Sequence, residues 1–204
     1  ARGEENVNSD IDIFVITNNI DMEMIHEGIY NILLISSELL KQKLEQDILP
    51  IGAMIKESKP ILNSQFLSSI KIKVTIRNTK WYIDTTENKL KMIKEIITNA
   101  RNSNKKYVNN LIAYTFVLRI RTLYIINKLL RHENYTNKDF IKIINKISKE
   151  ENAYKGYLAV KNNLEEKDKI TIGEAELLYE YLKNQLVKTK HLLSYSERHK
   201  SFPI

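Results

Sequence analysis

The chain has 204 residues, of which 43% are hydrophobic and 28% are charged, so it is long enough for one large or two small globular domains. It contains no cysteine, which excludes a disulfide framework and a thiolate metal site and fits a reducing, cytoplasmic location. Residues 1–98 hold 12 basic and 14 acidic residues, whereas residues 99–204 hold 20 basic and 11 acidic residues. The basic half indicates either polyanion binding, above all of RNA, or a solvated lysine surface.

The first hundred residues predict a mixed sheet with flanking helices. Residues 11–16 have the apolar, β-branched character of a strand that ends in a polar turn. Residues 22–44 predict a helix, because their apolar positions recur near the 3.6-residue period, although Gly28 weakens its first turns. Residues 47–57 predict a second strand, which Pro50 makes irregular or confines to a sheet edge.

The next segment is expected to complete this sheet. Residues 58–70 predict a loop and a short helix. Residues 71–84 alternate charged and β-branched side chains and break at Asn78, which predicts a hairpin, with one continuous helix as the alternative. We therefore expect a first domain over residues 1–98.

Residues 99–204 predict an all-α bundle. Asp84 and Glu87 have the spacing of a capping box, so a helix is expected from Asp84 to about residue 99, followed by a linker at 101–106. Further helices are predicted over the four ranges 105–131, 136–149, 151–164 and 171–193.

One predicted helix is long and apolar enough to raise the question of a membrane span. Arg119 and Arg121 lie at the centre of the segment 111–130, where each charge would cost several kcal/mol in hydrocarbon. We expect this helix to be the buried centre of the bundle, and no membrane partner.

Two aspartates at the start of the first strand carry the strongest chemical signal. Asp10 and Asp12 stand one residue apart, so strand alternation places both carboxylates on one side, about 7 Å apart. Like charges so close repel each other, and a bound Mg²⁺ or Mn²⁺ would relieve that repulsion. Carboxylate-held Mg²⁺ serves phosphoryl and nucleotidyl transfer, whereas a surface pair without function is the alternative.

The residues around this pair resemble a known family. The stretch ARGEENVNSDIDIFVI resembles the signature of the polymerase β-like nucleotidyltransferase superfamily, in particular its minimal prokaryotic members, which is Ala-Arg-Gly followed by Ser-Asp-x-Asp with apolar neighbours. The resemblance implies that Asp10 and Asp12 bind the catalytic metal, and that Arg2, Gly3 and Ser9 lie beside the triphosphate.

The same resemblance implies a Gly-Ser pair just before Ala1, whose amides and hydroxyl would bind the triphosphate. We therefore expect the 204-residue chain to be truncated at its N-terminus, to transfer no nucleotide, and to self-associate through its open sheet edge.

The family usually has a third carboxylate on a neighbouring strand. Asp47 is the best candidate and Glu57 the second, although Gln46 departs from the apolar setting that the family shows before this carboxylate. A loop or capping role for Asp47 is the alternative.

The helical half resembles, by helix number and length alone, the HEPN domains that accompany such enzymes. HEPN ribonucleases carry an arginine four to six residues before a histidine, and no arginine here has that spacing, so ribonuclease action is disfavoured. The four histidines are dispersed and form no metal-spaced pair.

Several side chains in or near this half could contact nucleic acid. Arg119 and Arg121 point in different directions around their helix, and one of them could contact phosphate, with a carboxylate partner inside the bundle as the alternative. Trp81, Tyr82 and Tyr107 could stack on a base or pack in the core.

The function that these patterns predict is Mg²⁺-dependent transfer of a nucleoside monophosphate from ATP or another NTP to a hydroxyl of RNA, protein or a small molecule. The protein would work alone or as a homo- or hetero-oligomer. The alternative is a non-catalytic, antitoxin-like or RNA-binding regulatory module.

Overall fold

The structure, a computed structural model, describes residues 10–149, 152–164 and 170–198. These residues form an α+β protein with a three-stranded mixed sheet and eight helices. The strands are β1 (Ile11–Thr17), β2 (Met22–Glu27) and β3 (Tyr30–Ser36). The helices are α1 (Ser37–Gln46), α2 (Ile51–Glu57), α3 (Ser64–Ser69), α4 (Ile76–Asn102), α5 (Asn110–Leu130), α6 (Asn137–Ser148), α7 (Asn152–Lys161) and α8 (Ile172–Arg198).

The sheet has β3 at its centre, parallel to β1 and antiparallel to β2. β2 and β3 form a hairpin whose two-residue loop begins with Gly28, at a φ of 58° that suits glycine. The apolar run of β3 lies at the centre of the sheet, where both backbone edges of the strand are hydrogen-bonded. Leu33 and Ile35 are buried there, while all six residues of the edge strand β2 are exposed.

The predicted strand over residues 11–16 is confirmed as β1, but the predicted helix over 22–44 is wrong up to Ser36, because residues 22–36 form β2, a turn and β3. The apolar positions of β3 are consecutive, so they fit a 3.6-residue period as well as a strand. Helical structure begins after Ser36, whose side chain accepts a hydrogen bond from the Leu39 amide and caps α1.

The predicted strand over residues 47–57 is also wrong, because the chain forms α2 there. Ile51 and Ile55 are one helical turn apart and both are buried. Gly52 allows this packing, since a Cβ atom at this position would lie 2.8 Å from Cδ1 of Ile48. The loop and short helix predicted over 58–70 are confirmed by α3.

The hairpin predicted over residues 71–84 is wrong, and the helical alternative holds from Ile76 onward. Thr75 and Asn78 satisfy each other in the manner of a capping box: the Asn78 amide donates to Thr75 Oγ1 at 3.1 Å, and the Thr75 amide donates to Asn78 Oδ1 at 2.8 Å. The cap predicted at Asp84 is therefore wrong as well, because Asp84 lies inside α4 and pairs with Lys80.

The helices predicted after residue 105 are confirmed as α5 to α8 within a few residues of their bounds. Thr136 caps α6, and Thr171 forms a reciprocal capping box with Glu174 at the start of α8. The helix α5 contributes many of the buried apolar side chains, as predicted, among them Ala113, Phe116, Val117, Ile120, Leu123 and Ile126. In the part of the chain that the structure describes, no helix combines the length and the apolar character needed to cross a membrane.

The chain divides into two compact units. One comprises Ala1–Thr79 and Leu129–Asn134, and the other comprises Lys80–Lys128 and Tyr135–Ile204. The predicted boundary between residues 98 and 99 lies inside α4, whereas these units part at Thr79 and Lys80, near the start of that helix.

Candidate functional site

The site candidate predicted from the sequence lies where β1 begins. Asp12 is the second residue of β1, and Asp10 immediately precedes the strand. Both aspartates are exposed, whereas the residues from Ile13 to the end of the strand are partly buried. Side-chain alternation places Asp10 on the same side as Asp12, as the sequence predicts.

The register of the sheet brings two further polar residues into line with Asp12. Asn31 of β3 is paired with Asp12 on one side and with His26 of β2 on the other. Residues paired in register share a face, so Asp12, Asn31 and His26 form one polar row across all three strands. We call these three residues the polar row.

Hydrogen bonds join the members of the polar row. The side-chain amide of Asn31 donates from Nδ2 to Oδ1 of Asp12 at 3.3 Å. Its oxygen lies 2.7 Å from Nδ1 of His26. Because an amide oxygen only accepts, Nδ1 of His26 carries the proton in this contact, which leaves Nε2 facing outward from the row. Asn31 therefore orients Asp12 and is itself oriented by His26.

This arrangement has a definite ligand chemistry. Asp10 and Asp12 supply hard carboxylate oxygens. The hydrogen bond from the Asn31 side-chain amide occupies Oδ1 of Asp12 and leaves Oδ2 for a cation. Within the described ranges, no three His, Cys, Asp or Glu side chains come together as a metal-holding group. The residues present thus fit a cation held by two carboxylates, with the neutral Asn31 beside them.

Asp47, the predicted third carboxylate, lies outside the sheet. It ends α1, where its amide donates to the carbonyl of Lys43 at 2.7 Å and its Oδ1 accepts from the Leu49 amide at 3.4 Å. Glu57, the second candidate, is the last residue of α2. The structure gathers neither with Asp10 and Asp12 into a group of three, and a metal role for Asp47 stays a prediction.

The predicted nucleotide-binding residues Arg2, Gly3 and Ser9 lie outside the described residues. Sequence reasoning misses Asn31 and His26, because the apolar pattern of residues 22–44 predicts a helix and the four histidines are dispersed along the chain. The alternation of Met22, Met24 and His26 before Glu27-Gly28 was the available signal for a strand and a hairpin turn.

The residues proposed from the sequence to contact nucleic acid differ from one another in burial and in hydrogen-bond partners. Tyr82 is buried, as its packing alternative predicts, while Trp81 and Tyr107 are exposed. Arg121 donates to Asn137 Oδ1 at 3.0 Å inside its unit. Arg119 donates to Thr85 Oγ1 at 2.9 Å and lies against the ring of Trp81.

Comparison of the chain with protein-family models, with curated proteins and with solved structures found no match. The resemblance to nucleotidyltransferases therefore depends on the quoted motif alone.

Proposed function

We propose that the protein is an Mg²⁺-dependent nucleotidyltransferase that transfers a nucleoside monophosphate from an NTP, with ATP as the first candidate, to a hydroxyl group and releases pyrophosphate. The observation that carries the proposal is the placement of Asp10 and Asp12 at the exposed start of an otherwise partly buried strand. Two carboxylates about 7 Å apart on one side of a strand repel each other, and a cation between them offsets that repulsion.

In this proposal Asp10 and Asp12 hold the metal ion. Bound Mg²⁺ would position the triphosphate oxygens and lower the pKa of the attacking hydroxyl. Asn31 is a positioning residue, because its hydrogen bond to Oδ1 fixes the rotation of the Asp12 carboxylate. His26 holds the Asn31 amide in the orientation that makes this bond.

The proposal leaves three classes of hydroxyl acceptor. A hydroxyl of RNA, of a protein or of a small molecule would satisfy the chemistry, since each becomes a nucleophile once its proton is removed beside the metal ion.

The experiment that tests transfer uses the full-length protein with each of the four NTPs, labelled at the α-phosphate, with Mg²⁺ and with the three acceptor classes. We expect label to enter one acceptor class, and Asp12→Asn to abolish incorporation. Asp21→Asn, which changes an exposed aspartate of the turn before β2, is the matched control and should transfer at the wild-type rate. Incorporation that survives Asp10→Asn and Asp12→Asn alike would remove the two residues from the reaction.

A non-catalytic regulatory module is the second candidate, and Asn31 is the observation that favours it. An amide beside Asp12 carries no charge, so the site has two carboxylates where the family usually has three. If this candidate is correct, the full-length protein transfers no label to any acceptor, although Asp10 and Asp12 still bind Mn²⁺.

A further inference from the structure

Arg119 lies in the middle of α5 with its charge uncompensated by any carboxylate of the described residues. Its Nη1 donates to Thr85 Oγ1 at 2.9 Å, and its guanidinium carbon is 5.7 Å from the centre of the Trp81 ring. Its Nε is buried without a hydrogen-bond partner. The carboxylate nearest to these contacts in sequence, Asp84, is engaged by Lys80 at 2.5 Å.

The environment of Arg119 is therefore unusual for a half-buried cation. Burial lowers the pKa of its guanidinium, and the effect of Tyr82 opposes this only in part. Half-buried arginines ordinarily pair with carboxylates, because desolvation of an unpaired charge costs free energy. An anion bound from solution would supply the missing negative charge. It would also accept hydrogen bonds from the guanidinium N–H groups of Arg119 that do not bind Thr85.

Trp81 provides a second, independent feature beside this cation. Its side chain is 62% exposed, although tryptophan is the largest apolar side chain available. The indole stands edge-on to Tyr82, with ring centres 5.0 Å apart and an interplanar angle of 90°. Because Tyr82 is buried, it holds the indole in place with much of its surface open to solvent.

We propose that Arg119 and Trp81 bind one unpaired nucleotide of a single-stranded nucleic acid, with a phosphate on the guanidinium and the base stacked on the indole. A cation and an open aromatic surface side by side are the two groups that such a nucleotide needs, and stacking tolerates any base. The excess of nine positive charges over residues 99–204 would attract the rest of the strand. This site is independent of the transfer chemistry proposed for Asp10 and Asp12.

The chain is suited to a direct test, because Trp81 is its only tryptophan. We would titrate the protein at low salt with a ten-nucleotide single-stranded RNA, the same sequence as DNA, an abasic oligomer, a duplex and a nucleoside monophosphate, and record tryptophan emission. Single strands should quench the emission, whereas the abasic oligomer should bind without quenching. The RNA and DNA arms show which strand is preferred.

Two arginines of one helix give a matched comparison. Arg119→Gln should raise the Kd for the single strand about tenfold and reduce the slope of log Kd against log salt by about 0.7, the value of one phosphate contact. Arg121→Gln, two residues further along α5, should change the Kd by less than about twofold, since Arg121 already donates to Asn137. Arg119→Lys should give an intermediate Kd, because it keeps the charge and loses the fork.

Several outcomes would overturn the proposal. These are equal weakening by Arg119→Gln and Arg121→Gln, saturation by the monophosphate at the same concentration as by the strand, and binding that leaves the emission unchanged.

Circular dichroism would check that Arg119→Gln is folded. If it is not, Trp81→Ala with a labelled oligonucleotide and anisotropy takes its place, and an unchanged Kd in that variant would equally reject the site. Asp12→Asn should bind the strand like the wild type, so failure of either proposal can be distinguished from failure of the other.

Discussion

The side-chain amide of Asn78 donates a hydrogen bond of 2.7 Å to the backbone carbonyl of Leu44, thirty-four residues earlier in the chain. The same amide donates to the carbonyl of Lys73 at 2.9 Å, and its oxygen accepts from the Thr75 amide at 2.8 Å. Asn78 is only 2% exposed. One buried side chain thus joins the start of α4 to the end of α1 within the first compact unit.

The first prediction concerns the stability of this junction. Asn78→Ala should lower the free energy of unfolding by about 3 kcal/mol or more, because it leaves two carbonyls and one amide without their partner in a buried setting. Asn88→Ala, at an exposed position of the same helix, is the control and should change it by less than about 0.5 kcal/mol. Urea denaturation followed by circular dichroism measures both variants. Equal midpoints for Asn78→Ala and the wild type would show that these hydrogen bonds contribute nothing net.

The second prediction concerns metal binding at the polar row. Asn31→Asp should strengthen Mn²⁺ binding by about tenfold, since it puts a third carboxylate beside Asp12 and adds at least about 1.4 kcal/mol of attraction for the ion. Asp10→Asn and Asp12→Asn should each weaken Mn²⁺ binding and leave the fold intact, because they remove one of two repelling charges.

Electron paramagnetic resonance of free Mn²⁺ gives these affinities, with Asp21→Asn as the control. Titrations of Asp10→Asn and Asp12→Asn that superimpose on that of the wild type would show that the ion binds elsewhere or not at all.

The third prediction concerns the start of α8. The Thr171 amide and hydroxyl both donate to Oε2 of Glu174, at 2.8 Å and 2.9 Å, and the Glu174 amide donates back to the hydroxyl at 3.2 Å. Thr171→Ala should cost about 1 kcal/mol as the loss of an N-cap. Glu174→Ala and the double variant complete a cycle, in which the two changes should be non-additive because each removes the same contacts. Additive effects in thermal unfolding would argue against the reciprocal cap.

The fourth prediction concerns the pH dependence of α6. The hydroxyl of Thr136 donates to Oδ2 of Asp139, and this bond, aided by Lys142, lowers the pKa of that carboxyl below its ordinary value of 3.8. A carboxyl whose pKa is lowered by folding stabilises the protein above its unfolded pKa, and this contribution is lost as the pH falls through the lowered folded pKa.

Thr136→Ala should therefore raise the pKa of Asp139 toward the value of the unfolded chain. A carbon-detected NMR titration of the Asp139 carboxyl, in the folded protein and in a short peptide of residues 134–142, measures the difference. Identical titration curves for the wild-type protein and the peptide would contradict the prediction.

For β1, α6 and α8, interactions between neighbouring residues were enough for the sequence by itself to predict the element. The apolar, β-branched run after Asp12 predicted β1, and α6 and α8 begin within one residue of the predicted positions 136 and 171. The two arginines in α5 excluded a membrane span and indicated a bundle helix, and its apolar side chains are buried. Each of these signals lies within a few residues of the element that it specifies.

Only the tertiary structure decided which face each segment of the first hundred residues would bury. The apolar positions of residues 30–36 fit a helix and a central strand equally well, and backbone pairing with β1 along one edge and with β2 along the other selected the strand. The same pairing placed Asn31 and His26 beside Asp12, which no spacing along the chain could have shown. Asn78 interrupts the alternating pattern of residues 71–84 in the sequence. Its structural role, however, is a hydrogen bond to the Leu44 carbonyl of α1, which the sequence does not show. Arg119 differs from Arg121 for the same reason, since its partners belong to α4 and are set by helix packing.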